Sequence, residues 1–184
     1  IQGWGMTEMS PLGTTNFPTP EMDEMPDEEK YALQVKAGRP VFGVEMKIVD
    51  DKGATLPNDG VAYGRLLVRG PWIIKKYFKS EESAVDADNW FDTGDISSID
   101  PDGYMAIVDR EKDVIKSGGE WISSIDLENV IANHPDVLQT AVVGIPHPKW
   151  DERPMLFIVT NSGEPIEKES IIEFLSDKVA KWWL

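Results

Sequence analysis

Three short stretches combine glycine with side chains able to meet a polar ligand. The first is Gly3-Trp4-Gly5-Met6-Thr7-Glu8. Glycine lets a ligand come close to the backbone, and the ring between the two glycines could stack on a purine. Thr7 could hydrogen-bond a phosphate or carboxylate oxygen. Glu8 is a hard oxygen donor suited to Mg²⁺. The same residues would equally serve a tight turn with a packed Trp. The second stretch is Trp90-Phe91-Asp92-Thr93-Gly94-Asp95. A carboxylate at the exposed end of a strand can accept two hydrogen bonds from a ribose diol, and Asp95 is the candidate. The competing reading is an Asp that caps a turn. The third runs from Asp109-Arg110-Glu111-Lys112-Asp113 through Val114-Ile115-Lys116 to Ser117-Gly118-Gly119-Glu120. Arg110 and Lys116 place two cations around an apolar strand, and the glycine pair admits a ligand or another backbone. A charged hinge followed by a glycine turn would read the same way.

Composition removes several other chemistries. The chain has 184 residues, 18 Lys+Arg against 33 Asp+Glu, and a formal charge of −15. It carries no run of five like charges, and no nucleic-acid partner is expected, because phosphate-backbone binding rests on clustered cations. There is no cysteine, which excludes disulfides, thiolate nucleophiles and thiolate metal sites. The two histidines, His134 and His147, cannot by themselves build a His-rich metal centre. No apolar run approaches the ~18 residues of a membrane helix. Ile1-Gln2-Gly3 has no initiator Met and no leader pattern, and Trp182-Trp183 close a helical pattern at the far end. Both ends suggest a piece of a longer protein.

The elements that must hold these stretches follow from periodicity. Residues 1–30 are rich in Gly, Pro, Thr, Met and acid and read as loop, with Pro18, Pro20 and Pro26 opposing a long helix. Val44, Met46 and Ile48 alternate with Glu45 and Lys47 as in a half-buried strand. Gly64 to Gly70 bound another strand. Residues 81–87 suggest a short helix capped by Ser80. Residues 91–108 form a hairpin turning at Asp100-Pro101-Asp102-Gly103, where Pro presets φ and Gly accepts a positive value. The mixed charges of 109–113 mark a domain boundary. Beyond it, Val114-Ile115-Lys116 is a strand. Ser123 caps a helix with Leu127, Val130 and Ile131 buried, stopped at His134-Pro135. Residues 137–145 and 155–160 are strands. Residues 167–183 form an amphipathic helix with Ile171, Leu175, Val179 and Trp182 on one face. The expected class is α+β: a β-rich, distorted barrel-like subdomain over residues 1–109, then a small α+β domain over 110–184.

In this order and spacing the three stretches resemble the adenylate-forming superfamily, specifically its acyl-CoA synthetases. Those enzymes carry Gly-aromatic-Gly-x-Thr-Glu, then Thr-Gly-Asp, then Asp-Arg-x-Lys-Asp-x-Ile-Lys-x-Gly-Gly. The matches here are Gly3 to Glu8, Thr93 to Asp95 and Asp109 to Gly119, with Gly144-Ile145-Pro146-His147 and Glu152-Arg153-Pro154 also similar. The resemblance implies an enzyme that activates a carboxylic acid with Mg-ATP and transfers the acyl group from AMP to coenzyme A. It implies Trp4, between Gly3 and Gly5, against the adenine; Thr7 near the adenylate phosphate; and Glu8 on Mg²⁺. It places Asp95 on the ribose hydroxyls with Arg110 assisting. Lys112 matches the hinge of a rotating C-terminal domain. Lys116 with Ser117, Gly118 and Gly119 would face the nucleotide and the pantetheine tunnel.

The family's Ser/Thr/Gly-rich phosphate loop and its terminal Pro-x-Thr-x-x-Gly-Lys segment are not among residues 1–184, so this piece alone is expected to be inactive. A medium- or long-chain fatty acid is the first expectation for the substrate, with a short thioether or aromatic acid as alternatives. A cytoplasmic enzyme is expected. The oligomeric state is open, a homodimer included. The rival readings are another adenylate-former, loading a carrier protein or of luciferase type, and a non-catalytic interaction module.

Overall fold

The computed structural model describes all residues, 1–184. It divides into two compact units, Ile1–Val108 and Asp109–Leu184, each described here by itself. No helix is long and apolar enough to cross a membrane.

The first unit begins with β1 (Gln2–Gly5), a 3-10 turn (Thr7–Met9) and β2 (Leu12–Asn16). Two short helices follow, α1 (Pro20–Asp23) and α2 (Asp27–Gln34). The expectation of loop over residues 1–30 is therefore corrected. The prolines do exclude a long helix, but Pro20 sits in the first turn of α1 and Pro26 just ahead of α2, where a missing N–H costs nothing. The short β3 (Arg39–Pro40) completes a three-stranded sheet in the order β1-β2-β3.

The second sheet is an antiparallel meander of β4 (Glu45–Val49), β5 (Tyr63–Arg69), β6 (Phe91–Ile99) and β7 (Met105–Arg110). Alternation decides its inner face. In β5, Leu66 and Val68 are fully buried while Arg65, Leu67 and Arg69 are half-buried. They pack with Met9, Ile48, Phe91, Ile99 and Met105. Each such side chain withdraws from water by roughly 1.5–3 kcal/mol. The β6–β7 turn is held by Asp100, whose Oδ1 accepts the N–H groups of Asp102 and Tyr104. Its Oδ2 receives the Lys36 ammonium at 2.6 Å.

Residues 81–87 are not helical. Ser80 Oγ accepts the N–H of Glu82, and Ser83 Oγ accepts that of Val85, which bridges to Phe91. Serine hydroxyls offered the backbone a local alternative to helical bonds, and here that alternative won.

The second unit packs α3 (Ser124–Ile131) and α4 (Lys168–Leu175) with a sheet in the order β10-β11-β8-β9. These strands are β8 (Ile115–Ser117), β9 (Glu120–Ile122), β10 (Val137–His147) and β11 (Asp151–Thr160). Its core joins Ile115 and Ile122 to Leu127, Ile131, Val142, Ile171 and Leu175. Ser123 caps α3 as its sequence announces, accepting the Asp126 N–H at 3.0 Å. The expected helix over 167–183 is shorter: α4 ends at Leu175, and a separate 3-10 turn (Lys181–Trp183) follows. Arg153 donates to the carbonyls of Trp182, Trp183 and Leu184, which fixes that turn from outside the helical register. Trp182 is consequently exposed rather than on a helix face.

Burial pushes the Asp100 carboxyl up, but the Lys36 ammonium and the Tyr104 N–H outweigh it and hold it below its ordinary value of 3.8. The pair therefore stabilises fully above pH 3.8 and loses its contribution as pH falls through the lowered folded value. Lys36→Met should cost about 1 kcal/mol at neutral pH. In urea denaturation at a series of pH values, that difference should vanish at acid pH.

Candidate functional site

The Asp92-Thr93-Gly94-Asp95 run is an irregularity in β6 with a job for every residue. Arg65 pairs with Ile96 and Leu67 with Asp92, so Leu66 alone stands opposite Thr93, Gly94 and Asp95. Two extra residues are thus inserted in β6, a wide form of bulge that re-aims side chains. Gly94 takes a φ of +71°, a left-handed value that glycine adopts without strain. The N–H groups released from the ladder find side chains instead. Asp92 Oδ1 accepts from Gly94, and Thr93 Oγ1 accepts from Asp95. The Thr93 hydroxyl in turn donates to the Leu66 carbonyl at 3.0 Å. Asp92 is itself held by Arg65 at 2.6 Å.

The bulge delivers Asp95 to the first stretch. Trp4 Nε1 donates to Asp95 Oδ2 at 3.1 Å, across 91 residues of sequence. Asp95 is 2% exposed and lies mid-strand. The expectation of an exposed strand end is corrected: the bulge, not a strand terminus, presents this carboxylate. The Trp4 ring packs against Gly13 of β2, where a Cβ would come within 2.6 Å of it. Gly3 and Gly5 flank the ring on β1, and a Cβ at Gly5 would collide with the Pro11 carbonyl.

Thr7 and Glu8 occupy the 3-10 turn beyond β1. Thr7 is exposed and Glu8 half-buried. Tyr77 donates its phenol to Glu8 Oε1 at 2.9 Å, and this bond first, then burial, raises the phenol above its ordinary pKa of 10.0. The Glu8 carbonyl accepts the Ile74 N–H. Tyr77 did not stand out in the sequence, because the contact spans 69 residues and no spacing signals it. No cluster of three or more acidic or histidine groups suited to a metal occurs. Glu8 as a single hard donor fits Mg²⁺ only in the usual shared form, with phosphate oxygens of a substrate as the other ligands.

The third stretch belongs to the second unit. Arg110 is the exposed last residue of β7 and Lys112 is exposed on the turn that follows, in which Asp113 and Val114 donate N–H groups to the Arg110 carbonyl. The Lys112 ammonium lies 3.8 Å from Asp113 and stays largely in solvent. Asp109 is buried and accepts both the N–H and the hydroxyl of Ser124, so it caps α3 a second time. Lys116 stands on β8 with its N–H bonded to Glu152 Oε2, and its ammonium is 5.8 Å from the Trp121 ring centre. Ser117 Oγ accepts from Arg153 at 3.1 Å.

Gly118 and Gly119, at φ +62° and +86°, form the two-residue loop of the β8–β9 hairpin. Two positive φ values are what a type I′ turn demands. A structural reason thus accounts for the glycine pair before any ligand is invoked. The Trp150 ring also covers Gly118, with 2.8 Å left for a Cβ. The structure therefore brings together Trp4 and Asp95, and separately Lys116, Ser117 and the glycine turn.

Two family models match the chain: AMP-binding enzyme over residues 1–78, and AMP-binding enzyme C-terminal domain over residues 126–184. A 3-methylmercaptopropionyl-CoA ligase of Ruegeria lacuscaerulensis is 53% identical over 99% of this chain and 34% of its own length. A medium-chain-fatty-acid–CoA ligase of Ectopseudomonas oleovorans is 47% identical over 99% of this chain and 33% of its own length. Among solved structures, an o-succinylbenzoate CoA synthetase of Bacillus subtilis, in complex with an acyl-adenylate intermediate, aligns with a TM-score of 0.79 and 30% identity. That alignment covers 100% of this chain and 35% of the synthetase. The chain spans about a third of the length of the relatives it matches.

Two outcomes follow from the geometry. Thr93→Val keeps the shape but strips the Asp95 N–H and the Leu66 carbonyl of their partner, and should cost about 1–3 kcal/mol in thermal melting. Gly119→Ala should cost only the left-handed strain of ~1–2 kcal/mol, whereas Gly118→Ala adds the Trp150 collision and should cost more.

Proposed function

This chain belongs to the AMP-binding enzyme family, and on that premise we propose that it is part of an acid–thiol ligase that makes acyl-CoA. A carboxylate attacks the α-phosphorus of ATP, forming acyl-AMP and releasing pyrophosphate. The thiol of coenzyme A then attacks the acyl carbonyl, forming the thioester and releasing AMP. The observation that carries this reading is the 3.1 Å bond between Trp4 and Asp95, which sets an aromatic ring beside a buried carboxylate. A purine against the ring would bring its sugar hydroxyls to an acceptor that only an ionised carboxylate supplies in such number.

In this reading Trp4 binds the adenine between Gly3 and Gly5, Asp95 and Arg110 take the ribose, and Thr7 binds the α-phosphate. Glu8, steadied by Tyr77, would hold the Mg²⁺ carried by the nucleotide as one of its ligands. That ion would supply charge neutralisation at the phosphates. Negative charge grows on phosphate oxygens in the first step, so cations are the catalysts it needs. Lys112 is the hinge about which residues 110–184 rotate, a movement that lets one protein assemble two active sites in turn. Lys116, Ser117, Gly118 and Gly119 then face the adenylate and the pantetheine arm. The attacking species is the thiolate, present at a few per cent near neutral pH and strongly nucleophilic, so the thiol proton is lost to solvent before attack and little further acid–base help is needed.

The acyl group is an apolar carboxylic acid, with medium- or long-chain fatty acids the leading class. A short thioether acid is the second reading, favoured by the 53% identity to a 3-methylmercaptopropionyl-CoA ligase. A cytoplasmic location fits this chemistry. Residues 1–184 alone, without the phosphate loop and the terminal Lys segment, should release no pyrophosphate with any acid of a panel.

In the longer ligase, Asp95→Ala should lower nucleotide-dependent pyrophosphate release by at least tenfold, since the sugar hydroxyls lose a charged partner worth roughly 1.5–3 kcal/mol. Full retention of activity would favour a non-catalytic module.

A further inference from the structure

Trp4 is the only aromatic type whose ring carries a donor and no acceptor. That donor, Nε1–H, ends on Asp95 Oδ2. The ring's position is over-determined: it lies on the Gly13 backbone with Met9 beside it, and β1 pairs Trp4 with Thr14. The carboxylate sits on a bulge, the least regular part of β6, and its backbone is fixed by Thr93. A bulge fixes the backbone but leaves the side-chain torsions of Asp95 to be decided by contacts. The indole N–H is a long-range contact that anchors Oδ2. A carboxylate offers about four acceptor directions, and the bond to the indole uses only one of them.

We propose that Trp4 is a specificity-determining positioning residue, whose indole N–H aligns the Asp95 carboxylate so that the site distinguishes ribose from deoxyribose in its nucleotide. The inference rests on the nucleotide reading above and goes beyond it. Stacking on the adenine is indifferent to the sugar. The N–H acts only through Asp95, and so only on the hydroxyls. A ring of the same area without the donor should keep adenine affinity and lose sugar discrimination.

The test measures calorimetric Kd values for ATP and 2′-deoxy-ATP with the longer ligase. Three replacements are compared: Asp95→Asn, Trp4→Phe, and Trp4 replaced by benzothienylalanine, which keeps the bicyclic ring and exchanges only N–H for sulfur. The isosteric ring guards against a Phe variant that fails to fold. The expected result is a collapse of the ATP preference in Asp95→Asn. In the benzothienyl variant the preference should fall by about tenfold, the equivalent of ~1.4 kcal/mol, with 2′-deoxy-ATP, which keeps only its 3′-hydroxyl for Asp95, weakened less than ATP. If the benzothienyl variant keeps the parent's preference while Asp95→Asn loses it, the positioning role is overturned and the nucleotide reading stands. Equal weakening of both nucleotides would also overturn it, as a packing effect. If Asp95→Asn itself leaves the preference intact, the nucleotide reading falls with it.

Discussion

The site depends on how β6 accommodates two residues more than its neighbour. An extra pair of residues in a buried strand releases backbone N–H groups that cannot be left unpaired at small cost. Asp92 and Thr93 take them up with their own side chains, and Gly94 supplies the left-handed turn between them. Only then is Asp95 aimed out of the ladder toward Trp4. The Thr-Gly-Asp run is thus a structural device, and in the proposed function its carboxylate is also the ribose acceptor. The hydroxyl and the glycine make the distortion stable, and the carboxylate is what the distortion presents.

A parallel economy appears in the second unit. The glycine pair Gly118-Gly119 is explained by a two-residue hairpin loop with both φ values positive. Asp109 is explained by its hold on the first residue of α3. These residues lie in the stretch that most resembles the family signature, yet each has a folding reason. In this chain, residues that a motif would label as functional are also those that fix the local backbone. Lys112 is the contrast: its side chain stays largely in solvent on a turn, close to the point where the chain passes from one unit to the next.

Much of this was legible in the sequence where the signal is local. The strand β4, the Asp100 to Gly103 turn, and the Ser123 cap of α3 follow from spacing within a few residues, although the burial along β4 does not alternate as expected. The failures share a different cause. Residues 81–87 look helical by composition, but Ser80 and Ser83 bond the backbone locally and divert it. The helix from Lys168 stops at Leu175, where Ser176 turns both its N–H and its hydroxyl onto the Glu173 carbonyl, and Arg153 of β11 fixes the separate turn beyond it. The candidate residues were found because three motifs recur in order. Their geometry was not, because neither the bulge opposite Leu66 nor the reach of Tyr77 to Glu8 leaves a trace in spacing.

The central claim is that an adenosine nucleotide is held between Trp4 and Asp95. The most direct measurement is a crystal structure of the longer polypeptide bound to an acyl-sulfamoyl adenosine, a stable mimic of the adenylate. The account predicts the adenine stacked on Trp4 and the sugar hydroxyls within hydrogen-bond distance of Asp95. A nucleoside seated elsewhere, with the Trp4–Asp95 pair untouched by it, would contradict the account.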